Sequence, residues 1–213
     1  MRLHDFMGLI MINTNNIGYN SKGDIMKKII LFTIAAVIIG CGQGSAQADV
    51  KKKIISKKSI KTDRPKGAVK APDFTLADLY GNPQSLANLE GNVVLLNFWG
   101  TWCGPCRREI PDFIKLYDKY NADGLEIVGI TLTSGSPDAI QKFVDRYAIN
   151  YTVLTDIEGH ETQRVTAEYG QVTGQRISGI PTTFIIDRDG YIVKRYVGPR
   201  SENIFYKDLK PYL

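Results

Sequence analysis

Two cysteines, Cys103 and Cys106, stand with two residues between them in the stretch 97–109. A Cys-x-x-Cys pair placed where a strand turns into a helix closes a small disulfide ring and reopens it. A helix N-terminus stabilises the thiolate of the first cysteine and makes it the nucleophile. Two other uses of such a pair fit poorly. Half a zinc site needs two further ligands, yet no cysteine follows Cys106 and the only downstream histidine is His160. A purely structural disulfide over so short a loop would stabilise a fold little. Redox chemistry is therefore expected here.

The surrounding sequence supplies the elements that must position the pair. The apolar run 93–96 reads as a buried strand, and 110–120 as a helix running out of the motif. Glu109 follows Cys106 by three residues, which puts both on neighbouring lines of one helix face. A carboxylate there can take a proton from a buried thiol or return it. Beyond a polar break at 121–124, residues 125–132 read as a strand. Ser136 and Pro137 then open a helix with an apolar face at Ile140, Phe143, Val144 and Tyr147. A short strand at 151–154, a helical segment at 158–169 and a hairpin of 182–186 with 191–196 around Asp187-Arg188-Asp189-Gly190 complete the pattern, with a helix over 203–213. This order predicts an α/β sheet with right-handed crossovers.

Trp102-Cys103-Gly104-Pro105-Cys106 after a Val/Leu-rich strand resembles the thioredoxin superfamily. Ala71-Pro72-Asp73-Phe74, a strand and Gly81-Asn82 resemble the opening of its TlpA/ResA-like branch, membrane-tethered thiol-disulfide oxidoreductases of the bacterial envelope. Peroxiredoxins share this opening. The resemblance implies a thioredoxin fold over residues 71–213, with an added N-terminal β-hairpin and a central mixed sheet flanked by helices. It also implies roles. Cys103 attacks, Cys106 resolves, and Glu109 is the proton acceptor, since Asn97 stands where thioredoxins carry a titrating Asp. Pro181 is cis and faces the cysteines, so that Ile180, Pro181 and Thr182, with Trp102, Gly104 and Pro105, form the substrate surface. Pro111 falls where thioredoxins kink the helix. Trp99 is expected in the core. Gly104-Pro105 matches reductants of the thioredoxin type. One departure is an insertion, 171–178, ahead of Gly179-Ile180-Pro181, either a determinant of substrate choice or a tolerated surface loop.

The chain has 213 residues and a net charge of +5. The charge is uneven: residues 50–70 hold nine Lys/Arg against one Asp, whereas residues 71–213 are mildly acidic. The basicity thus belongs to a linker, which argues against a nucleic-acid partner. Met26-Lys27-Lys28, the apolar run 29–39 and Gly40-Cys41 fit a secretory signal. The box ending at Cys41 resembles a bacterial lipoprotein cleavage site, which implies lipidation of Cys41. Cleavage after Ala46-Gln47-Ala48 ranks second and an uncleaved anchor third. All three place the domain outside the cytoplasm. The expected organisation is a leader and signal or lipoprotein peptide over 1–48, a basic linker over 49–70 and the thioredoxin-like domain over 71–213. No cofactor or metal is expected. Expected partners are a disulfide-bearing protein, with apocytochrome c leading, and a membrane electron donor of the CcdA or DsbD type. The competing activities are thiol peroxidase, which would want a Pro-rich loop and an Arg partner where Trp102 precedes Cys103, and disulfide oxidase or isomerase on the same fold.

Overall fold

The computed structural model describes residues 64–213. Cys41, the leader over 1–48 and residues 49–63 of the basic linker lie outside the described residues. The strands are β1 (Val69–Lys70), β2 (Thr75–Asp78), β3 (Pro83–Ser85), β4 (Val93–Trp99), β5 (Leu125–Thr131), β6 (Thr152–Thr155), β7 (Thr182–Ile186) and β8 (Tyr191–Val197). The α-helices are α1 (Gly104–Tyr120), α2 (Pro137–Tyr147), α3 (Glu161–Val172) and α4 (Glu202–Leu209).

The strands form one mixed sheet in the order β1-β8-β7-β4-β5-β6-β2-β3. The β4–β5 and β5–β6 pairs are parallel and every other pair is antiparallel. β4 lies inside the sheet and is buried along its whole length, as its unbroken apolar run requires. Its residues alternate between two cores. Val93, Leu95 and Trp99 join Phe113, Leu116 and Phe205 of α1 and α4 on one face. Val94, Leu96 and Phe98 join Val165 and Tyr169 of α3 on the other. Asn97 has the parity of Leu95 and Trp99, so strand geometry turns it toward α1.

The thioredoxin-like α/β architecture agrees with the sequence-based expectation, including the extra hairpin: β2 and β3 pair with each other and dock through β2 on β6. Several boundaries differ. Residues 64–70, expected as linker, are folded onto the domain. β1 pairs with β8, and the Arg64 guanidinium binds the Asp187 and Asp189 carboxylates and covers the Tyr191 ring at 4.2 Å. Lysine-rich composition hid this, because apart from Val69 the docking uses ion pairs and backbone bonds, not apolar burial. α1 starts at Gly104, ahead of the expected 110, with Pro111 inside it. α3 starts at Glu161, since Gly159 and His160 both have positive φ. It runs on through Val172, so the first two residues of the expected insertion are helical. The last helix stops at Leu209.

Candidate active site

β4 ends at Trp99 and α1 begins at Gly104, so the chain turns over residues 100–103. Trp102 lies across Gly100, where a Cβ would stand 2.9 Å from the indole nitrogen. Its indole N–H donates to the Leu132 carbonyl at 3.3 Å, and the side chain remains 59% exposed. Trp99 is buried in the core as expected.

Cys103 and Cys106 are joined in a disulfide. Cys103 is the N-cap of α1, and its Sγ accepts the Cys106 backbone N–H at 3.2 Å. With the disulfide opened, that N–H and the helix dipole stabilise a thiolate on Cys103. Cys106 is buried beneath it. Cys103 instead lines a groove of about 620 Å³ together with Trp102, Gly104, Pro105 and Ile180. Of the two sulfurs, Cys103 is the one an incoming group meets.

The Ile180–Pro181 peptide bond is cis, and the Ile180 carbonyl oxygen lies 3.6 Å from Cys103 Sγ. The structure therefore joins the two halves of the site, 77 residues apart in sequence. It also corrects the expected substrate surface. Pro181 is buried under the groove and its carbonyl accepts the Gly198 N–H at 2.8 Å. Thr182 is wholly buried, and its hydroxyl donates to the Gly179 carbonyl at 2.7 Å. Neither residue lines the groove; both brace the turn that presents Ile180.

Glu109 is 2% exposed, on the α1 turn after Cys106. Its Oε1 accepts the Asn97 side-chain N–H at 3.0 Å, and the second N–H of that amide goes to Thr183 Oγ1 at 2.9 Å. Glu109 Oε2 is buried without a hydrogen-bond partner among the described residues. Burial pushes the carboxyl up to about 8, against smaller lowering effects of the Arg200 main chain and the Asn97 amide. Tyr151 is pushed up too, by its own burial and then by the Glu109 charge. The site thus holds a protonated carboxyl near neutral pH, able to release a proton only slightly above it. Thr183 went unnoticed in the sequence, although it stands opposite Asn97 in the β4–β7 register.

Leu132, Thr133, Gln163, Thr166, Ile177, Ser178 and Gly179 complete the groove; of these, only the last three fall in a stretch that the sequence marks, the insertion and its junction. A signal existed for 132 and 133. They follow β5 directly, beside the end of β4, and sites form at the C-terminal ends of adjacent parallel strands. The α3 residues carried no such signal.

A thioredoxin-like sheet, a disulfide at a helix N-terminus and a cis proline facing it define a thiol-disulfide oxidoreductase. The chain belongs to the AhpC/TSA family, whose model matches residues 68–195. It is 38% identical over 133 residues to the thiol-disulfide oxidoreductase ResA of Bacillus thuringiensis (strain Al Hakam), covering 62% of this chain and 70% of that protein. A ResA of Bacillus cereus is 32% identical over 183 residues, 83% of this chain and 92% of that one. Among solved structures, the thiol:disulfide interchange protein of the thioredoxin family from Chlorobium tepidum TLS matches at 33% identity with a TM-score of 0.59, over 68% of this chain and 96% of that one.

Proposed function

We propose that the protein reduces disulfides of client proteins outside the cytoplasm, tethered to a membrane through a lipid on Cys41. The observation that carries the reading is the Cys103–Cys106 disulfide capping α1, with Cys103 alone of the two facing the groove. In the reduced protein the Cys103 thiolate attacks one client sulfur. The client S–S bond breaks, one client thiolate leaves and takes up a proton, and a mixed disulfide remains. The Cys106 thiolate then attacks Cys103 Sγ and frees the second client thiolate. Two electrons have passed to the client, and the protein is left as the disulfide seen here. Glu109, buried one turn beyond Cys106, holds or returns the proton of the Cys106 thiol.

Apocytochrome c, the client class implied by the resemblance of the Trp102–Cys106 motif and the Ala71–Phe74 opening to the TlpA/ResA-like branch, is the leading candidate, with a CcdA- or DsbD-type membrane protein as the electron donor. The leader over 1–48 and the basic spacer from 49 onward support export and tethering, with lysines resting on anionic head groups at about 1 kcal/mol per residue near the surface. Insulin reduction with the glutathione equilibrium as reference tests the reading. Turnover of insulin and a potential below that of glutathione are expected. Peroxide consumption without disulfide reduction, or a potential on the oxidising side, would replace it with a peroxidase or an oxidase. Labelling with a fatty-acid analogue tests the tether: label on the wild type and none on Cys41→Ser is expected, and membrane attachment without label would remove the lipid.

A further inference from the structure

The groove at Cys103 does not end at the disulfide. A second groove of about 460 Å³ adjoins it and shares Gln163, Thr166 and Ile177. Its floor is the outer face of α3, with Gln163, Ala167 and Gln171 following one another along it. Its wall is the segment between α3 and the cis proline.

That wall is built. Gly174, with φ +66°, turns the chain back onto α3. A Cβ on Gly170 would stand 3.1 Å from Arg176 Cα, so the segment packs directly on helix backbone, where a larger residue would push it back by a few tenths of an ångström. The Gln175 N–H donates to the Gly170 carbonyl at 3.0 Å. Arg195, from β8, reaches under the segment. Its Nη1 donates to the Gln175 carbonyl at 2.7 Å and its Nη2 to the Arg176 carbonyl at 3.0 Å, with the guanidinium over the Phe184 ring at 5.7 Å. Ile177 packs against the core on the α3 side of the sheet. A tolerated surface loop needs none of these anchors.

Among the described residues, one charged side chain lines the two grooves together, and it is Arg176. It is exposed and makes no ion pair among those residues. The remaining lining offers glutamine amides and hydroxyls suited to a peptide backbone, and the Ile180 N–H serves no hydrogen bond within the described residues.

From this geometry we infer that the joined grooves are one cleft for an extended client segment, and that Arg176, held in place by Arg195, selects clients bearing a carboxylate a few residues from the attacked cysteine. The inference rests on the disulfide-reductase reading and names its substrate class. Arg176 is a specificity residue and Arg195 a positioning residue; neither reacts.

The test uses two peptides, each with one intramolecular disulfide, identical except for Asp or Lys at the third to fifth residues from the attacked cysteine. With reduced wild-type protein at low salt, kcat/KM is expected to favour the Asp peptide by about threefold or more, as an exposed ion pair allows, and high salt erases the preference. Arg176→Glu, a surface change, inverts it. Arg195→Ala raises KM for the Asp peptide more than it lowers kcat, and Arg195→Lys recovers part of the loss. Equal kcat/KM for both peptides in wild type, or a preference untouched by Arg176→Glu, overturns the inference. Hydroxyethyl disulfide, small and uncharged, separates the two readings. Its reduction alongside equal peptide rates leaves the reductase standing without the acidic preference, and its failure removes the reductase reading and this one together.

Discussion

At the residue scale, the chemistry depends on three groups on one turn and a half of α1. Cys106→Ser leaves Cys103 able to attack but unable to be released, so it is expected to accumulate mixed disulfides with clients on non-reducing gels; Cys103→Ser should accumulate few. Equal trapping by both would reverse the two roles. Glu109 gives a pH signature of definite sign. Folded, its carboxyl titrates at about 8; unfolded, it returns to the ordinary carboxylate range. Between those values the folded state keeps a proton that the unfolded state has lost, so stability declines as pH rises through that window and levels off above it. Glu109→Gln has no such loss. Its melting temperature relative to wild type is expected to rise by roughly 5–10 °C between pH 5 and pH 9. Above about pH 8, where the carboxyl is ionised, the same substitution removes a negative charge beside the cysteines, so Cys103 alkylation there should run faster than in wild type, while disulfide exchange should slow for want of a group that holds and returns the Cys106 proton. Superimposable alkylation profiles would leave the carboxyl a bystander.

At the element scale, the site is held by close backbone approaches as much as by side chains. β5 passes beneath Trp99 at Gly129, where a Cβ would stand 2.6 Å from the indole nitrogen. Gly129→Ala must displace a buried tryptophan that also packs on Phe143 at 5.6 Å. A loss of about 1–3 kcal/mol is expected from overpacking, read from the urea midpoint. α2 offers a milder control. Ser136 accepts the Ala139 N–H at 3.3 Å as its N-cap, and Ser136→Ala should cost about 1 kcal/mol without touching the groove.

At the scale of the whole molecule, the N-terminal arm and the disulfide sit at opposite ends of the sheet. β7 begins at Thr182 beside the cis proline and ends at Ile186. β8 pairs its Val197 with Thr182 and its Ile192 with Ile186, and β1 joins β8 at Tyr191 and Ile192. The arm therefore docks about 15 Å from the disulfide end at the usual strand rise. Arg64 closes this end over Asp187, a buried carboxylate that also accepts the Asp189 and Tyr191 N–H groups at 3.0 and 2.9 Å. Arg64→Ala leaves that carboxylate its backbone donors but no cation. Because Arg64 is partly exposed, the expected loss is about 1–2 kcal/mol, below the figure for a fully buried pair, with faster proteolysis over 64–70 as the second readout.

Sequence alone determined what local pattern and covalent spacing determine. The Cys-x-x-Cys pair at a strand-to-helix turn, the apolar run of β4, the Ser136-Pro137 helix start and the Asp-Gly hairpin each carry their information within a few residues. Together they yielded the fold class and the reacting pair. Tertiary structure alone decided what depends on partners distant in the chain. Parity in β4 and register with β7 bring Asn97, Glu109 and Thr183 into one buried cluster and push the carboxyl upward. Packing of the turn before β7 buries Thr182 and Pro181 and leaves Ile180 to face the groove. Ion pairs across more than 120 residues turn the end of a lysine-rich linker into part of the domain. Burial and electrostatic environment arise from contacts between segments, and no short stretch of sequence contains both sides of such a contact.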